Sequence, residues 1–232
     1  MNDAERMATL RLHHSIFSAS SQKVRLALVE KGLDHDSVSV DLQAGEQHTP
    51  AYRALNPRGV VPTLIHGDAV LIESAAILEY LDEAYPEPRL MPETPVERAR
   101  CRLDELYADE IMLQALRPLM HRTGPPSPDR DRRIAQEADA LIAEEALARH
   151  YEVLEQKLAG RDFFGGRLST ADIALFMSVL FSLRLGGPPL GAHPALSAWF
   201  ARLRQRPAFV QAAAEIAEAD RRLSFPVKSR SA

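Results

Sequence analysis

The sequence predicts an α/β domain followed by an all-helical domain, and three observations lead to this prediction. From Thr9 to Tyr85 the hydrophobic period alternates between two and about 3.6 residues, which is typical of strands and helices in turn. The chain then becomes rich in proline, and beyond this stretch the period of two disappears. We therefore expect a first domain over residues 8–86, a proline-rich linker over 87–95 and a helical domain over 96–226.

The first domain is predicted to be one small sheet covered by helices, in the order β-α-β-α-β-β-α. Short alternation indicates the strands, apolar residues on one face indicate the helices, and Gly67-Asp68 suits a tight hairpin turn. The predicted elements are a strand Thr9–His14, a helix Ser20–Gly32, a strand carrying Val38, Val40 and Leu42, a short segment Ala51–Leu55, strands Val60–Ile65 and Ala69–Ile72, and a helix from Ser74 to Tyr85.

The second domain is predicted from helical spacing and from helix start signals. The apolar residues at helical spacing in its first helix, over Arg98–His121, are Leu103, Leu106, Tyr107 and Ile111. Ser169-Thr-Ala-Asp172, before an apolar run, has the form of a capping box, in which Ser169 and Asp172 bond to the backbone of the first turn. One helix is expected to end near Leu158. Pro188-Pro189 ends another helix, and Pro194 suits the first position of the helix after that.

Composition and charge exclude several classes of function. The formal net charge of −4 on 232 residues, with no basic run, gives no basis for binding nucleic acid or an anionic membrane. The single cysteine, Cys101, excludes an internal disulfide, a Cys-x-x-Cys redox pair and a multi-cysteine zinc site. The polar segment Met1–Arg6 is not a secretory signal, and the apolar window Ile173–Leu183 is about half the length that spans a bilayer. We therefore expect a cytoplasmic protein with no metal.

Three short segments of the first domain carry the candidate site. In the first, Phe17-Ser-Ala-Ser-Ser-Gln-Lys-Val-Arg-Leu26, hydroxyl groups lie between a strand and the start of a helix. Free backbone N–H groups and the helix dipole favour an anion there, such as a thiolate or a carboxylate. A serine that only caps the helix fits the same pattern, so both interpretations stay open.

The other two segments suit the backbone and the charged end of a peptide. Pro62 lacks an N–H and therefore suits the start of a strand. A cis Val61–Pro62 bond would leave the backbone N–H and C=O of Val61 facing a groove, although few X-Pro bonds are cis. Glu73 suits an ammonium group, and Ser74 suits a carboxylate through its hydroxyl and its backbone N–H. A helix cap with a first-turn acid explains this last pair equally well.

Taken in order, these segments resemble the glutathione transferase superfamily over nearly the whole chain. The matching motifs are Phe-Ser-x-x-Ser-Gln-Lys-Val-Arg-Leu-Ala-Leu, Leu-Asn-Pro-x-Gly-x-Val-Pro-Thr-Leu and Glu-Ser-x-Ala-Ile-x-x-Tyr-Leu in the first half, with Leu-Ser-Thr-Ala-Asp-Ile-Ala and a Pro-Ala-Leu-x-x-Trp motif in the second. The resemblance implies a thioredoxin-like domain, then a helical domain, a cis Val61–Pro62 bond and a homodimer.

The resemblance is nearest to the zeta and phi branches, and it implies glutathione as the co-substrate. Ser18 would be the catalytic serine that hydrogen-bonds the glutathione sulfur, with Ser20 and then Ser21 as alternatives. The residues implied to hold the tripeptide are Gln47 and His48 at the glycyl carboxylate, Val61 with Pro62 at the cysteinyl unit, and Glu73 with Ser74 at the γ-glutamyl end.

The implied function is a transferase that adds the thiolate to a small apolar electrophile. The candidate pocket residues for this electrophile are Tyr107, Ile111 and Met112. The same thiolate would serve a glutathione-dependent isomerase or dehalogenase, and a non-catalytic scaffold module is the alternative from a different class. Val60 stands where many relatives have Gln, which removes one hydrogen bond to glutathione. Arg117 and Arg184 would suit an acidic substrate, although a solvated charge is the commoner explanation.

Overall fold

The computed structural model describes residues 9–227. Within them the chain divides into two compact units, the first ending at Pro95 and the second beginning at Val96. The predicted domain start at residue 8 and the Met1–Arg6 segment lie outside the described residues. Across the described range, no helix combines the length and the apolar character needed to cross a membrane.

The first unit contains a four-stranded mixed sheet in the order β2-β1-β3-β4. Its strands are β1 (Leu10–His14), β2 (His35–Ser39), β3 (Thr63–His66) and β4 (Ala69–Ile72). Strands β1 and β2 run parallel, whereas β3 pairs antiparallel with both β1 and β4. The carboxyl ends of β1, β2 and β4 therefore lie at the same edge of the sheet as the amino end of β3.

Three helices complete this unit in the predicted order. They are α1 (Ala19–Glu30), α2 (Pro50–Leu55) and α3 (Ser74–Ala84). Helices α1 and α3 contact each other, and their aliphatic side chains are buried together with Leu12 of β1 and Leu64 of β3, which are fully buried. This arrangement confirms the predicted thioredoxin-like domain.

The second strand lies earlier in the chain than its apolar alternation indicated. Strand β2 ends at Ser39, so Val40 and Leu42 follow the strand instead of belonging to it. Both pack in a small cluster with Tyr52 and Val61. Because loop residues that pack in this way are also apolar, the alternation continues beyond the last residue of the strand.

The third strand is shorter than predicted. It begins at Thr63, whereas the sequence indicated a start at Val60. Pro62 has no N–H to donate to the hydrogen-bond ladder, so pairing starts only after it. The Val61–Pro62 peptide bond is cis, as the family resemblance implies.

A buried ion pair ties the proline-rich stretch to the first unit. Lys31 Nζ lies 2.9 Å from Asp82 Oδ1 and also donates to the carbonyl groups of Tyr85 and Pro88, each at 2.8 Å. Asp82 in turn accepts from the backbone N–H groups of residues 90–91. Loss of either Lys31 or Asp82 would leave the other as an uncompensated buried charge. The ion pair and its hydrogen bonds to the backbone therefore hold the proline-rich stretch against the first unit.

The described part of the second unit is helical, as predicted. Its main helices are α4 (Pro95–Leu106), α5 (Arg130–Leu158), α6 (Thr170–Arg184), α7 (Pro194–Leu203) and α8 (Pro207–Leu223). The helix predicted over Arg98–His121 is not continuous: α4 is followed by a π-helix Tyr107–Met112, one α-turn Leu113–Leu116 and a 3-10 segment Arg117–Thr123. Pro118 lies at the start of that last segment and cannot donate the N–H that an α-helix needs there.

Helix α4 buries the face opposite to its leucines. Leu103 and Leu106 are 63% and 55% exposed, whereas Cys101 and Glu105 are buried. The helical spacing of the leucines therefore predicts the helix correctly, but it marks the surface of the described unit and not its core.

The capping box at the start of α6 also anchors α7. The backbone N–H and the hydroxyl of Ser169 both donate to Asp172 Oδ2, at 3.0 and 2.7 Å. Trp199 Nε1 donates to Asp172 Oδ1 at 2.9 Å, and the Phe164 N–H donates to the same oxygen at 3.1 Å. Burial raises the pKa of Asp172 to about 6, and these hydrogen bonds oppose that rise. The carboxylate thus joins two helices and the preceding loop.

Candidate functional site

The predicted site residues of the first unit lie in loops at one edge of the sheet. Thr63, at the start of β3, pairs with His13 of β1 and with Ile72 of β4. His14, at the end of β1, pairs with Ser39 at the end of β2. The loops that connect to the strands at this edge contain the predicted site residues: Ser18 after β1, Gln47 and His48 after β2, Val61 and Pro62 before β3, and Glu73 and Ser74 after β4. Since neighbouring strands are about 4.8 Å apart, the loops start side by side over roughly 14 Å.

Ser18 is the N-cap of α1. Its Oγ accepts a hydrogen bond from the Ser21 N–H at 3.2 Å, which satisfies one of the free donors of the first helical turn. A capping hydroxyl uses its oxygen as an acceptor, so its proton is still available for a ligand. Among residues 9–227 the structure shows no acceptor for that proton. Capping and contact with an anion are therefore compatible roles for Ser18.

The neighbouring serines differ in accessibility. Ser21 is fully buried, and its Oγ accepts from the Ser15 N–H at 3.3 Å. The Gln22 side-chain amide donates to two carbonyl groups of the same loop, at 3.2 and 3.1 Å. Ser20 is half-buried, and its hydroxyl has no hydrogen bond within the described chain. Ser21 and Gln22 thus shape the loop, whereas Ser18 and Ser20 are open to a ligand.

Two side chains hold the carbonyl group of Val60. The Tyr52 hydroxyl and the Asn56 Nδ2 both donate to it, each at 2.8 Å. Both side chains also reach Thr63 Oγ1, at 3.0 and 3.2 Å, and Asn56 is fully buried. Apart from the Asn-Pro turn, no sequence signal marks these positioning residues.

Val61 presents an unpaired stretch of backbone. Its N–H and C=O make no hydrogen bond to any part of the chain that the structure describes. Its side chain is buried in the cluster with Val40 and Tyr52. An unpaired backbone segment next to a strand can hydrogen-bond an extended peptide, in the same way as an exposed edge strand does.

Gly59 brings the turn before β3 against the loop after β2. Its φ is +62°, and a Cβ at this position would lie 3.0 Å from His48 Nδ1 and 3.1 Å from the Gln47 carbonyl oxygen. Gln47 Nε2 lies 3.2 Å from His48 Nε2. Only glycine allows both the backbone conformation and this close approach, so the turn and the Gln47-His48 pair are in contact.

Glu73 has a backbone conformation that is rare for a residue with a side chain. Its φ is 68° and its ψ is 115°, at the junction of β4 and α3. Its Oε1 lies 2.5 Å from Nη1 of Arg58, a residue that sequence reasoning did not single out. Ser74, which is buried, is the first residue of α3, where backbone N–H groups are free. The Arg58–Glu73 contact joins the turn before β3 to the loop after β4.

The three pocket candidates of the second unit do not share one face. Met112 is fully buried, Ile111 is 42% exposed, and the Tyr107 hydroxyl lies 2.7 Å from His150 Nδ1. Burial raises the pKa of Tyr107 and lowers that of His150. All three candidates belong to the π-helix, whose wider turn changes how residues are distributed around the axis. Helical spacing could not reveal this.

The charged candidates of the helical unit differ in their partners. Arg184 binds Asp220 through two nitrogens, at 2.7 to 3.0 Å, so its charge is already compensated. The Arg117 guanidinium is exposed and has no partner among residues 9–227.

Cys101 is placed for packing. It is 3% exposed, its Sγ lies 3.2 Å from Thr170 Oγ1, and burial raises the pKa of its thiol to about 11. A thiol with this pKa is not ionised near neutral pH and is a weak nucleophile. No group of three or more His, Cys, Asp or Glu side chains within the described range is arranged to hold a metal ion.

Two family models match the chain, one for each unit. The model described as glutathione S-transferase, N-terminal domain, matches residues 12–89. The model described as glutathione S-transferase, C-terminal domain, matches residues 107–207.

Individual proteins are similar to the chain over most of its length. It is 36% identical over 217 residues to a probable maleylacetoacetate isomerase of Vibrio cholerae, which covers 90% of this chain and 97% of that relative. It is 30% identical over 209 residues to glutathione S-transferase Z1 of Arabidopsis thaliana, covering 89% and 92%. Among solved structures, the theta class glutathione S-transferase from the citrus canker pathogen Xanthomonas axonopodis pv. citri, with glutathione bound, is 34% identical with a TM-score of 0.76, covering 89% and 98%.

We expect Gly59→Ala to destabilise the protein more than Gly45→Ala. Both glycines have positive φ, so both substitutions carry a similar backbone cost of about 1–2 kcal/mol. At position 59 the new methyl group would also press on His48 and Gln47, which adds about 1–3 kcal/mol, whereas nothing lies within 4 Å of a Cβ at position 45. Urea unfolding of the two variants measures the difference. Equal losses of unfolding free energy would show that the two loops are not in close contact.

Proposed function

We propose that this chain, which belongs to the glutathione S-transferase family, holds glutathione along the edge of its sheet and activates the glutathione thiol with Ser18. Family membership makes the chain a glutathione-utilising enzyme. The observation that carries the proposal is the row of loops at this edge. It contains a capping hydroxyl with an unused proton, an unpaired backbone segment and an exposed carboxylate.

The order of the loops matches the order of groups in the tripeptide. Along the sheet edge, the His48 loop comes first, Ser18 and Val61 lie in the middle, and Glu73 comes last. Glutathione has a carboxylate at its glycyl end, a thiol in the middle, and an ammonium with a carboxylate at its γ-glutamyl end. Three extended residues cover about 10 Å, which fits within the roughly 14 Å between the outer strands. We therefore place the cysteinyl backbone at Val61.

A single hydroxyl and a helix end are sufficient to ionise the thiol. A free thiol with a pKa of about 8.5 is only a few per cent ionised at pH 7. Lowering that pKa by about 2 units requires about 2.7 kcal/mol. A charge-assisted hydrogen bond from Ser18 contributes about 1.5–3 kcal/mol, and the N-terminus of α1 adds about 0.3–1 kcal/mol. Ser18 thus acts as a donor to the thiolate and not as a nucleophile.

The reaction that we propose first is transfer of the thiolate to a small apolar electrophile. The sulfur forms a bond to an electrophilic carbon, and the leaving group departs with the electron pair of the bond that breaks. The candidates for contact with this substrate remain Tyr107, Ile111 and Met112. The exposed position of Ile111 and the partly exposed Tyr107 suit that role better than the buried Met112.

A second candidate is a glutathione-dependent isomerase. The 36% identity with a probable maleylacetoacetate isomerase over 97% of that relative favours it. The thiolate would add to a conjugated cis double bond, the resulting single bond would rotate, and the thiolate would leave again. Glutathione is then regenerated, and the same Ser18 hydroxyl stabilises the thiolate at both ends of the reaction.

We also propose that the chain forms a homodimer through the exposed face of α4. Val96, Leu103 and Leu106 are 61%, 63% and 55% exposed, and they recur at helical spacing on one side of this helix. Aliphatic residues in such a row favour burial against a partner over contact with water.

We expect Ser18→Ala to lower kcat about 10- to 100-fold and to raise the pKa of the bound thiol, because the donor to the thiolate is lost. Turnover of 1-chloro-2,4-dinitrobenzene and the ultraviolet absorbance of the thiolate as a function of pH measure the two effects. Ser20→Ala serves as the matched control and should leave both nearly unchanged. Ser18→Asp keeps the cap on α1 but offers no proton, so it should be as impaired as Ser18→Ala. Equal losses at positions 18 and 20 would overturn the assignment.

The two candidate reactions differ in their consumption of glutathione. With an aryl halide we expect one free thiol to disappear for each product formed. With a cis-configured conjugated dioxo acid we expect the trans isomer to accumulate while the free thiol concentration stays constant. Titration of thiols alongside chromatography of the products tests both. A substrate that is not converted at all removes the corresponding candidate.

Replacing Leu103 and Leu106 together by Asp should convert a dimer into a monomer, because two charges would have to be buried in the interface. Size-exclusion chromatography with light scattering should give twice the chain mass of 25.7 kDa for the unmodified protein and the single mass for the variant. Leu223→Asp, at another exposed leucine of the same unit, is the control and should remain dimeric. A monomeric unmodified protein would refute the proposal.

A further inference from the structure

A group of charged side chains joins three helical segments of the second unit. Arg122 lies in the 3-10 segment Arg117–Thr123, and its Nη2 donates to Glu137 Oε1 and to Glu144 Oε1 of α5, each at 2.6 Å. Its Nη1 donates to the carbonyl group of Gly186, just after α6, at 3.0 Å. Because the Arg122 side chain is only 9% exposed, these partners replace the water that would otherwise surround its charge.

His121 belongs to the same group, and both of its ring nitrogens face an oxygen atom. Nδ1 lies 2.8 Å from the Pro118 carbonyl oxygen, and Nε2 lies 3.3 Å from Glu137 Oε2. A neutral imidazole has one N–H, so it can donate to only one of these two oxygens. A protonated imidazole has two N–H groups and can donate to both. The observed geometry therefore fits the imidazolium form of His121.

The charges of the group are balanced only in this form. Arg122 and a protonated His121 then face the two carboxylates of Glu137 and Glu144. With a neutral His121, one negative charge is left uncompensated. The Arg122 guanidinium lowers the pKa of Glu137, burial opposes this effect, and His121 adds to it. The Glu137 carboxylate therefore stays ionised at the pH values where histidine changes its charge.

We propose that His121 forms a pH-sensitive contact between the 3-10 segment and α5. The imidazolium form holds the segment to Glu137, and loss of one proton breaks this contact. The contact is therefore present at low pH and is lost as the pH rises through the ordinary histidine range of about 5–8. The same segment also carries the C-terminal stretch after α8, since the Thr123 carbonyl accepts the Phe225 N–H at 3.0 Å. This inference goes beyond the proposed function and does not rest on it.

The surroundings of the 3-10 segment indicate which charges take part. The segment packs on α5 and on the turn Leu113–Leu116. Helix α5 contributes the two carboxylates of the group, and the sequence of the turn contains no titratable residue. Arg117, in the segment itself, is exposed, and Arg184, at the end of α6, is bound to Asp220. The α5 carboxylate at 3.3 Å is therefore the charge to which the imidazole ring responds.

Hydrogen exchange of the 3-10 segment, followed by mass spectrometry, tests this contact. Exchange is measured at about pH 5.5 and about pH 8.5, and each rate is divided by the intrinsic rate at that pH. The proteins compared are the unmodified chain, His121→Gln, Glu137→Gln and His193→Gln. Arg122 keeps Glu144 as a partner in Glu137→Gln, so this variant preserves most of the group. His193 is the matched control, because it is also a half-buried histidine of the second unit and its ring packs against Tyr151.

We expect the segment to be protected about 3- to 5-fold more at the lower pH in the unmodified protein and in His193→Gln, a modest ratio because Glu137 is half exposed and water screens the ion pair. His121→Gln should lose this pH dependence because it lacks the proton that titrates. Glu137→Gln should lose it because it lacks the carboxylate that the imidazolium meets. Equal protection of the unmodified protein at both pH values would overturn the inference, and so would a pH dependence that persists in His121→Gln.

Discussion

The buried side-chain amide of Asn56 holds the turn that precedes β3. It donates to the Val60 carbonyl and to Thr63 Oγ1, and its own oxygen accepts from the Arg58 N–H at 3.1 Å. One side chain thereby fixes the whole turn that precedes β3. From that turn, Gly59 meets the loop after β2, and Arg58 meets the loop after β4. A buried Asn56 amide without these partners would cost about 1–3 kcal/mol.

The mixed sheet explains why this turn lies close to the serine loop. Because β3 is antiparallel to its neighbours, its first residue lies beside the last residues of β1 and β4. The loop before β3 therefore lies next to the loops that follow β1 and β4. The orientation of the Ser18 side chain is fixed by the helix that it caps, because its Oγ accepts from the Ser21 N–H. A hydroxyl held in this way is preorganised as a donor, and little entropy is lost when an anion binds.

The sequence is informative where a local rule determines the structure. A serine cap on the first helix, the Ser169–Asp172 capping box and the order of strands and helices follow from neighbouring residues, and the structure has all three, with Ser18 as the serine that caps. Contacts between distant segments have no such local signal: Arg58 and Glu73 are 15 positions apart, and nothing in either motif indicates that they pair. The π-helix Tyr107–Met112 is also invisible, because its residues have ordinary α-helical spacing in the sequence.

We place an extended tripeptide at this edge of the sheet with its sulfur at Ser18, and a crystal structure of the protein with bound glutathione is the decisive measurement. The cysteinyl backbone should pair with Val61, the sulfur should lie within hydrogen-bonding distance of Ser18 Oγ, and the γ-glutamyl end should lie at Glu73. Glutathione bound elsewhere, or bound here with its sulfur out of reach of Ser18, would refute this placement.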